Sequence, residues 1–357
     1  MKNILISGGA GFIGSNFIPY FLEKHQNYKL INLDLLTYAA NLENLKEVKN
    51  HSRYKFIKGD ICNREFVEFI FNEYNIEGVI HFAAESHVDN SITNPDIFMR
   101  TNVNGTFTLL DVAYKHWMQK PFTYKESFIG TDVLTSANGE VKVSLPRFHH
   151  ISTDEVYGTL GETGLFKETT PYAPNSPYSA SKAASDMIVR SYHETYGVNT
   201  VVTNCSNNYG AKQHDEKLIP TIIRNALKGD SIPIYGDGKN IRDWLYVLDH
   251  CRGVDLVYHK GKSGETYNIG GKNERTNLQI VDKICTILDE KMPRSSQHLK
   301  YKELITFVED RVGHDRRYGI DASKIEKELS WRADEDFESG IVKTVEWYLN
   351  KYSGGFK

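Results

Sequence analysis

The sequence predicts an α/β fold: a doubly wound parallel sheet followed by a smaller mixed α/β cap. Three observations predict it. Short apolar runs alternate with amphipathic segments through residues 4–203, a glycine-rich turn joins the first run to the first amphipathic segment, and the alternation stops after Tyr209. Beyond that point Gly229-Asp230, Gly236-Asp237-Gly238 and Gly270-Gly271 punctuate shorter pieces, with helical patterns returning at 278–291 and 336–351. Such a cap belongs over the carboxyl edge of the sheet, where ligands bind in open α/β folds.

Each element has its own signal. Ile4-Leu5-Ile6 is the first strand, and apolar spacing over 12–24 makes the first helix. Leu30-Ile31-Asn32-Leu33 forms the second strand and ends at Asp34. Phe56-Ile57 leads to Gly59-Asp60, and a helix follows over 66–74. Val79-Ile80-His81-Phe82 is the next strand and 103–117 the next helix. Phe148 to Ser152 forms a strand, 180–196 a long helix, and Thr200 to Thr203 a further strand. Residues 122–146 interrupt this rhythm. Val133–Ala137 and Glu140–Val143 flank Asn138-Gly139, a preferred tight-turn pair, so the stretch reads as an inserted surface hairpin without chemistry. Residues 1–210 are expected to form the sheet domain and 211–357 mainly the cap, with about 241–275 returning to the sheet core.

Composition narrows the function classes. The 357 residues are 40% hydrophobic and 25% charged, enough for a sizeable core. The net charge of −3 and the lack of a long basic run argue against nucleic acid as a partner. Cys62, Cys205, Cys251 and Cys285 have no C-x-x-C spacing and read as reduced thiols of a cytoplasmic protein. The first residues run directly into a strand and no 18-residue apolar stretch occurs, so neither secretion nor a membrane span is expected. His149 and His150 sit within one strand and point to opposite faces, so no metal site is expected there.

Gly8-Gly9-Ala10-Gly11-Phe12-Ile13-Gly14 opens the first helix directly after the first strand. Gly8, Gly11 and Gly14 allow a tight turn and let a pyrophosphate approach the helix N-terminus, as in Rossmann-type dinucleotide sites. Asp34 lies twenty residues beyond Gly14 at a strand end, where a carboxylate accepts ribose hydroxyls and repels a 2′-phosphate. NAD is therefore expected over NADP. Asp60-Ile61 is placed beside the adenine, and Phe82-Ala83-Ala84 supplies small residues along which the cofactor passes.

Pro177 suits the first turn of the long helix, with Asn175 or Ser176 as its cap. Tyr178 and Lys182 then share a helical face. A free tyrosine has a pKa of about 10, so a base working near neutrality needs about 4 kcal/mol of differential stabilisation. The Lys182 ammonium and a cationic nicotinamide ring can contribute it. Some twenty residues upstream, Thr153 precedes two adjacent carboxylates, Asp154 and Glu155. Hydride transfer from an alcohol needs no such pair, so an elimination is implied as well.

These motifs together resemble the extended short-chain dehydrogenases/reductases that act on nucleotide sugars, and within them the dTDP-glucose 4,6-dehydratases. The resemblance rests on the glycine loop, Tyr178-x-x-x-Lys182, Ser152-Thr153-Asp154-Glu155-Val156-Tyr157-Gly158 and Ala83-Ala84-Glu85-Ser86-His87-Val88-Asp89. Ser206-Asn207-Asn208-Tyr209-Gly210, Glu216–Pro220, Arg242–Val247 and Asp315-Arg316-Arg317-Tyr318 extend it over nearly the whole chain. It implies that Tyr178 accepts the O4 proton while C4 gives hydride to NAD and Thr153 hydrogen-bonds that oxygen. Glu155 would remove the C5 proton, and Asp154 would protonate the departing C6 hydroxyl. It also implies cofactor contacts at Phe12, Ile13, Thr37, Ser86, Thr101 and Asn208. Substrate contacts are implied at Ser86, Asn207, Lys217, Leu218, Pro233, Ile234, Tyr235, Arg242, Asn277, Asp310, Arg311 and His314. A homodimer built by the helices at 103–117 and 180–196, in a four-helix bundle, is implied too. Val312 stands where the family has proline, and Asn204 where it has arginine. Dehydratases of other nucleotide sugars, epimerases, decarboxylases and a non-catalytic NAD-binding regulator remain the alternatives.

Overall fold

The structure, a computed structural model, describes residues 1–130, 134–135, 141–142, 144–294 and 300–353. In chain order the principal strands are β1 (Lys2–Ser7), β2 (Tyr28–Asp34), β3 (Tyr54–Lys58), β4 (Ile76–His81), β5 (Arg147–Thr153) and β6 (Thr200–Cys205). They continue as β7 (Asn207–Tyr209), β8 (Ile232–Tyr235), β9 (Ile241–Tyr246), β10 (Thr266–Ile269), β11 (Glu274–Thr276) and β12 (Ile305–Val308). The longer helices are α1 (Phe12–Lys24), α2 (Arg64–Tyr74), α3 (Thr106–Trp117), α4 (Pro177–Tyr196), α5 (Leu218–Lys228), α6 (Val247–Lys260), α7 (Asn277–Lys291) and α8 (Phe337–Ser353).

A seven-stranded sheet runs β10-β6-β5-β4-β1-β2-β3. Strand β1 pairs in parallel with β2 on one side and β4 on the other, so the winding direction reverses there. That reversal opens the crevice in which doubly wound sheets bind ligands, at the carboxyl ends of the strands. The middle residues of β1, Ile4-Leu5-Ile6, are wholly buried, as expected of a strand covered on both faces.

The chain divides into two compact units. The first comprises 1–153, 176–204 and 254–267, and the second 154–175, 205–253 and 268–357. This differs from the expected 1–210 and 211–357. Residues 154–175 group with the second unit, and the returning segment is 254–267 rather than about 241–275, because β9 joins β7 and β11 in a separate three-stranded sheet.

In the first unit Leu5, Ile31, Leu33, Val79 and Phe148 from the strands pack with Val67, Ile70 and Phe71 of α2 and Leu109, Leu110 and Trp117 of α3. Each such side chain contributes about 1.5–3 kcal/mol on burial. Helix α3 is preceded by a π-helical stretch over Met99–Gly105, where a regular helix from Val103 was expected. A Cβ on Gly105 would lie 2.5 Å from Ile61 Cδ1, so the wider turn brings backbone close against that side chain. In the insertion, Met118–Lys120 pairs with Thr123–Tyr124, and Leu134–Thr135 pairs antiparallel with Val141–Lys142. The expected Asn138-Gly139 turn lies outside the described residues. The stretch is not wholly superficial, because Tyr124 and Phe128 join the core.

The second unit has its own core. Ile219, Ile222, Ile223 and Ala226 of α5 recur at helical spacing and pack with Ile280, Ile284 and Leu288 of α7 and Ile341, Val345 and Tyr348 of α8. Thr276 caps α7 through Gln279, and β8 pairs with β12.

Asp255 on α6 ties that helix to α1. Its Oδ2 accepts from Tyr20 at 2.9 Å and Lys24 at 2.7 Å, and its Oδ1 lies 2.8 Å from His25 Nε2 and 2.9 Å from His259 Nδ1. Burial works to raise this carboxyl, but the bonds from His259 and Lys24 outweigh it and hold the carboxyl well below the usual range. A depressed carboxyl adds stability above its unfolded pKa, and that stability is lost as pH falls toward the folded value. Asp255→Asn should therefore destabilise the protein by about 2–3 kcal/mol at neutral pH. Urea unfolding measured at neutral and then acid pH should show the difference shrinking as pH falls.

Candidate active site

The glycine turn fits a dinucleotide by geometry. Gly8 has φ of 72°, and a Cβ there would stand 2.5 Å from the backbone of Ala83. A Cβ on Gly14 would stand 2.6 Å from the Gly8 carbonyl oxygen. Gly11 caps α1 without a side chain and no acid occupies the first turn, so the orphan amides there suit a phosphate. Phe12 and Ile13 begin the helix, half-buried. Asp34 is buried at the end of β2. Its Oδ2 accepts from Ala10 N at 2.9 Å and its Oδ1 from Leu36 N at 2.8 Å. Burial raises its pKa against those two amides, and each oxygen keeps a lone pair for a ribose hydroxyl. These residues match the requirements of NAD.

Other cofactor expectations divide. Phe82 packs on Phe17 with centroids 5.2 Å apart, and Ala83, Ala84, Ser86 and Thr101 are half-buried. Thr37 is exposed on the turn after β2. Asp60 is committed elsewhere, to Cys62 N at 2.8 Å and Arg100 at 2.6 Å. Ile61, 5% exposed, turns its side chain into the core and not toward an adenine pocket.

Helix α4 carries Tyr178 and Lys182. Ser176 caps it in a reciprocal box with Ser179, Pro177 takes the first position, and Gly197 closes it with φ of 73°. Tyr178 and Lys182 are both buried, Lys182 at 3% exposure. Lys182 Nζ donates to the Ile151 carbonyl of β5 at 2.8 Å. Thr153, buried, ends the same strand. Asn102, which belongs to no sequence motif, locks the neighbouring backbone. Its side chain accepts from Glu85 N at 2.8 Å and donates to Glu85 O at 3.0 Å and Ser181 Oγ at 2.8 Å. Its position beside Thr101 was the available signal, but only the π-helical stretch brings its side chain to these partners.

The acid pair opens the second unit. Asp154, 1% exposed, and Glu155, partly buried, form a 3₁₀ turn over Asp154–Tyr157. Burial raises the Glu155 pKa, and the charges of Arg242, Arg311 and Lys217 oppose it. Arg242 is buried, and its guanidinium stacks 4.2 Å from the Tyr318 ring centroid. Its Nη1 donates to Ile241 O at 2.8 Å and its Nη2 to Asp315 O at 2.9 Å, so backbone carbonyls already engage the fork expected to face a diphosphate. Asp315 in turn accepts from Tyr318 at 2.5 Å and Asn175 at 2.7 Å.

Tyr235, Asp310, Arg311 and His314 come together. His314 Nδ1 lies 2.6 Å from Asp310 Oδ1, and Arg311 lies 5.8 Å from the Tyr235 ring. Lys217 sits at the start of α5 and Leu218 packs on the core, while Asn277 opens α7. On β8 Pro233 and Tyr235 face outward, but Ile234, 1% exposed, belongs to the core. Strand alternation forbids all three from lining one pocket wall. Asn207 is half-buried on β7, and Asn208 Oδ1 is buried with no hydrogen-bond partner among the described residues.

Among the described residues one set of possible metal ligands occurs, His25, Asp255 and His259, within 4.8 Å of one another. The two imidazoles stack 4.6 Å apart at 25°, and each already has a nitrogen engaged with Asp255 Oδ1, at 2.8 and 2.9 Å.

The family model described as GDP-mannose 4,6 dehydratase matches residues 5–344. A dTDP-glucose 4,6-dehydratase of Salmonella typhimurium is 53% identical, covering 97% of this chain and 92% of that relative. The chain belongs to the nucleotide-sugar 4,6-dehydratase family. A dTDP-glucose 4,6-dehydratase of Bacillus anthracis, solved in complex with NAD, superposes with a TM-score of 0.83 at 45% identity, covering 99% of this chain and 98% of that one. One from Streptomyces venezuelae, also with NAD bound, gives 0.84 at 39% identity, with the same coverage.

The glycine geometry generates a direct test. Gly8→Ala should lower retained NAD at least tenfold, because the added methyl meets the Ala83 backbone in a left-handed conformation. The NAD released on denaturing the purified protein measures this.

Proposed function

We propose that this protein converts dTDP-glucose to dTDP-4-keto-6-deoxyglucose and water. The observation that carries the reading is that Thr153 and Asp154, both buried, and the partly buried Glu155 follow one another at the end of the strand whose Ile151 carbonyl anchors Lys182. Bound NAD supplies the hydride acceptor for C4 and the donor for C6. Tyr178 takes the proton from O4, and Thr153 hydrogen-bonds that oxygen. Lys182 stabilises the tyrosinate by its charge. The 4-ketone so formed acidifies C5–H, which Glu155 removes. Asp154 delivers a proton to the C6 hydroxyl, which leaves as water. A proton then returns to C5 as hydride returns to C6.

The raised pKa of Glu155 makes it a stronger base and moves its proton loss to higher pH. The acid limb of the elimination rate should therefore lie above the ordinary glutamate value of 4.5, with activity lost as pH falls through it. Glu155→Gln should remove that limb with at least a hundredfold fall in elimination. Asp154→Asn should slow water loss while C4 oxidation stays measurable. Rapid-quench analysis of the 4-keto sugar before and after water loss separates the two steps, and joint loss of both would contradict the role of Asp154.

Because the matched family model is named for GDP-mannose, the deciding assay offers dTDP-glucose beside GDP-mannose and CDP-glucose. A base-sensitive 4-keto-6-deoxy product from dTDP-glucose alone is expected. The product would feed deoxysugar biosynthesis, rhamnose formation included. The four free thiols and the need for NAD support a cytoplasmic location. Among the described residues, no helix is long and apolar enough to cross a membrane.

A homodimer through α3 and α4 is part of this reading. Exposed Phe107 on α3 and exposed Met187 on α4 support it. Light scattering should give twice the chain mass of 40.8 kDa, and Met187→Glu should shift it toward a monomer.

A further inference from the structure

Behind Tyr178 and Lys182 lies a row of buried polar groups that the chemistry above leaves unused. Lys182 Nζ lies 3.4 Å from His150 Nε2. The same Nε2 lies 3.2 Å from Asp186 Oδ1, and Ser152 Oγ donates to Asp186 Oδ2 at 2.8 Å. His150 is 0% exposed and Asp186 3%. A second buried imidazole, His81, has its ring centroid 5.2 Å from that of His150, and its nitrogens contact Ser7 Oγ at 2.6 Å and Thr106 Oγ1 at 2.8 Å.

The tautomer of His150 follows from this geometry. Its Nδ1 is buried with no hydrogen-bond partner among the described residues. The Lys182 ammonium can only donate, so Nε2 is its acceptor and carries no proton, and the nearby Asp186 Oδ1 acts on this pair by its charge. Burial and the Lys182 charge push His150 well below its usual pKa, so the ring is neutral, and His81 is held neutral in the same way. Of the titratable groups in this row, Lys182 is the cation and Asp186 the anion.

Helix geometry sets which group Asp186 acts upon. Tyr178, Lys182 and Asp186 follow at four-residue steps along one face of α4. Each step rises about 6 Å, so Asp186 lies one step from the ammonium and two from the phenol. Its field therefore acts mainly on Lys182. An ammonium in so dry a place loses its proton readily unless a counter-charge is near.

We propose that Asp186 is a positioning residue for the base: from beside the neutral His150 imidazole it supplies the counter-charge that keeps Lys182 protonated and in place beneath Tyr178. The inference rests on the reading of Tyr178 as base and Lys182 as its cation. It assigns roles to two residues that the proposed reaction does not itself require.

The test is a titration of Lys182 by ¹³Cε-lysine NMR in the NAD-loaded protein, with the resonance assigned through Lys182→Arg. Asp186→Asn should lower the midpoint by at least one pH unit, and Asp186→Glu, which keeps the charge, should restore most of it. The alkaline limb of single-turnover C4 oxidation should move in the same direction. Ser152→Ala, which leaves the charge in place, should leave both nearly unmoved. Should the asparagine variant fail to fold, Asp186→Ser removes the same charge with a smaller side chain. A midpoint equal to wild type in the folded neutral variant overturns the proposal, whatever happens to the overall rate. Tyr178→Phe separates the two readings. If it oxidises substrate normally, the assignment of the base fails. If it is inactive and Asp186→Asn titrates as wild type, only the present inference fails.

Discussion

The constraint on which the rest depends is a lysine ammonium held almost out of water. Lys182 is 3% exposed and has the Ile151 carbonyl at 2.8 Å as a hydrogen-bond acceptor. Leaving such a charge unsupported costs several kcal/mol. Its support dictates local structure. Helix α4 must start where it does, fixed by the Ser176 box and Pro177, for Tyr178 and Lys182 to face β5. Strand β5 must in turn sit inside the sheet, beside β4, so that its carbonyl has a fixed place. The glycine turn after β1 and the reversal of winding at β1/β4 then put the dinucleotide crevice at the carboxyl ends of those same strands.

The same strand end carries the residues to which the elimination is assigned. Thr153, Asp154 and Glu155 follow without a break, so in the proposed chemistry the hydroxyl set against O4 is joined covalently to the two acids assigned to C5 and C6. The 3₁₀ turn over these acids aims consecutive side chains in different directions, as the separate roles proposed for Asp154 and Glu155 would require. The surroundings of Glu155 are mixed in sign. Burial favours its protonated form, and three cations favour its charge. A base tuned between those pulls suits the removal of a carbon-bound proton near neutrality.

Much of this was legible in the sequence, for identifiable reasons. Helix α1 begins and ends as its apolar spacing predicts, and Pro177 marked the start of α4, because local signals decide both. The unit boundary was less legible. Nothing in the local pattern of 154–175 reveals that these residues group with a unit built mostly from the second half of the chain. Individual contacts were hardest. Ile61 and Ile234 occupy motif positions yet turn inward, because their neighbours leave apolar space there. Asn102, His150 and Asp186 carry no motif of their own, and their importance appears only when a π-helical stretch and a four-residue helical step bring them to partners distant in sequence.

One site performs an oxidation, a water loss and a reduction without releasing its hydride. Incubation with dTDP-glucose deuterated at C4, followed by NMR of the product, tests it most directly. The deuterium is expected to reappear at C6, with a solvent-derived proton at C5. Deuterium lost to solvent, or a product whose C6 carries none of it, would contradict the claim.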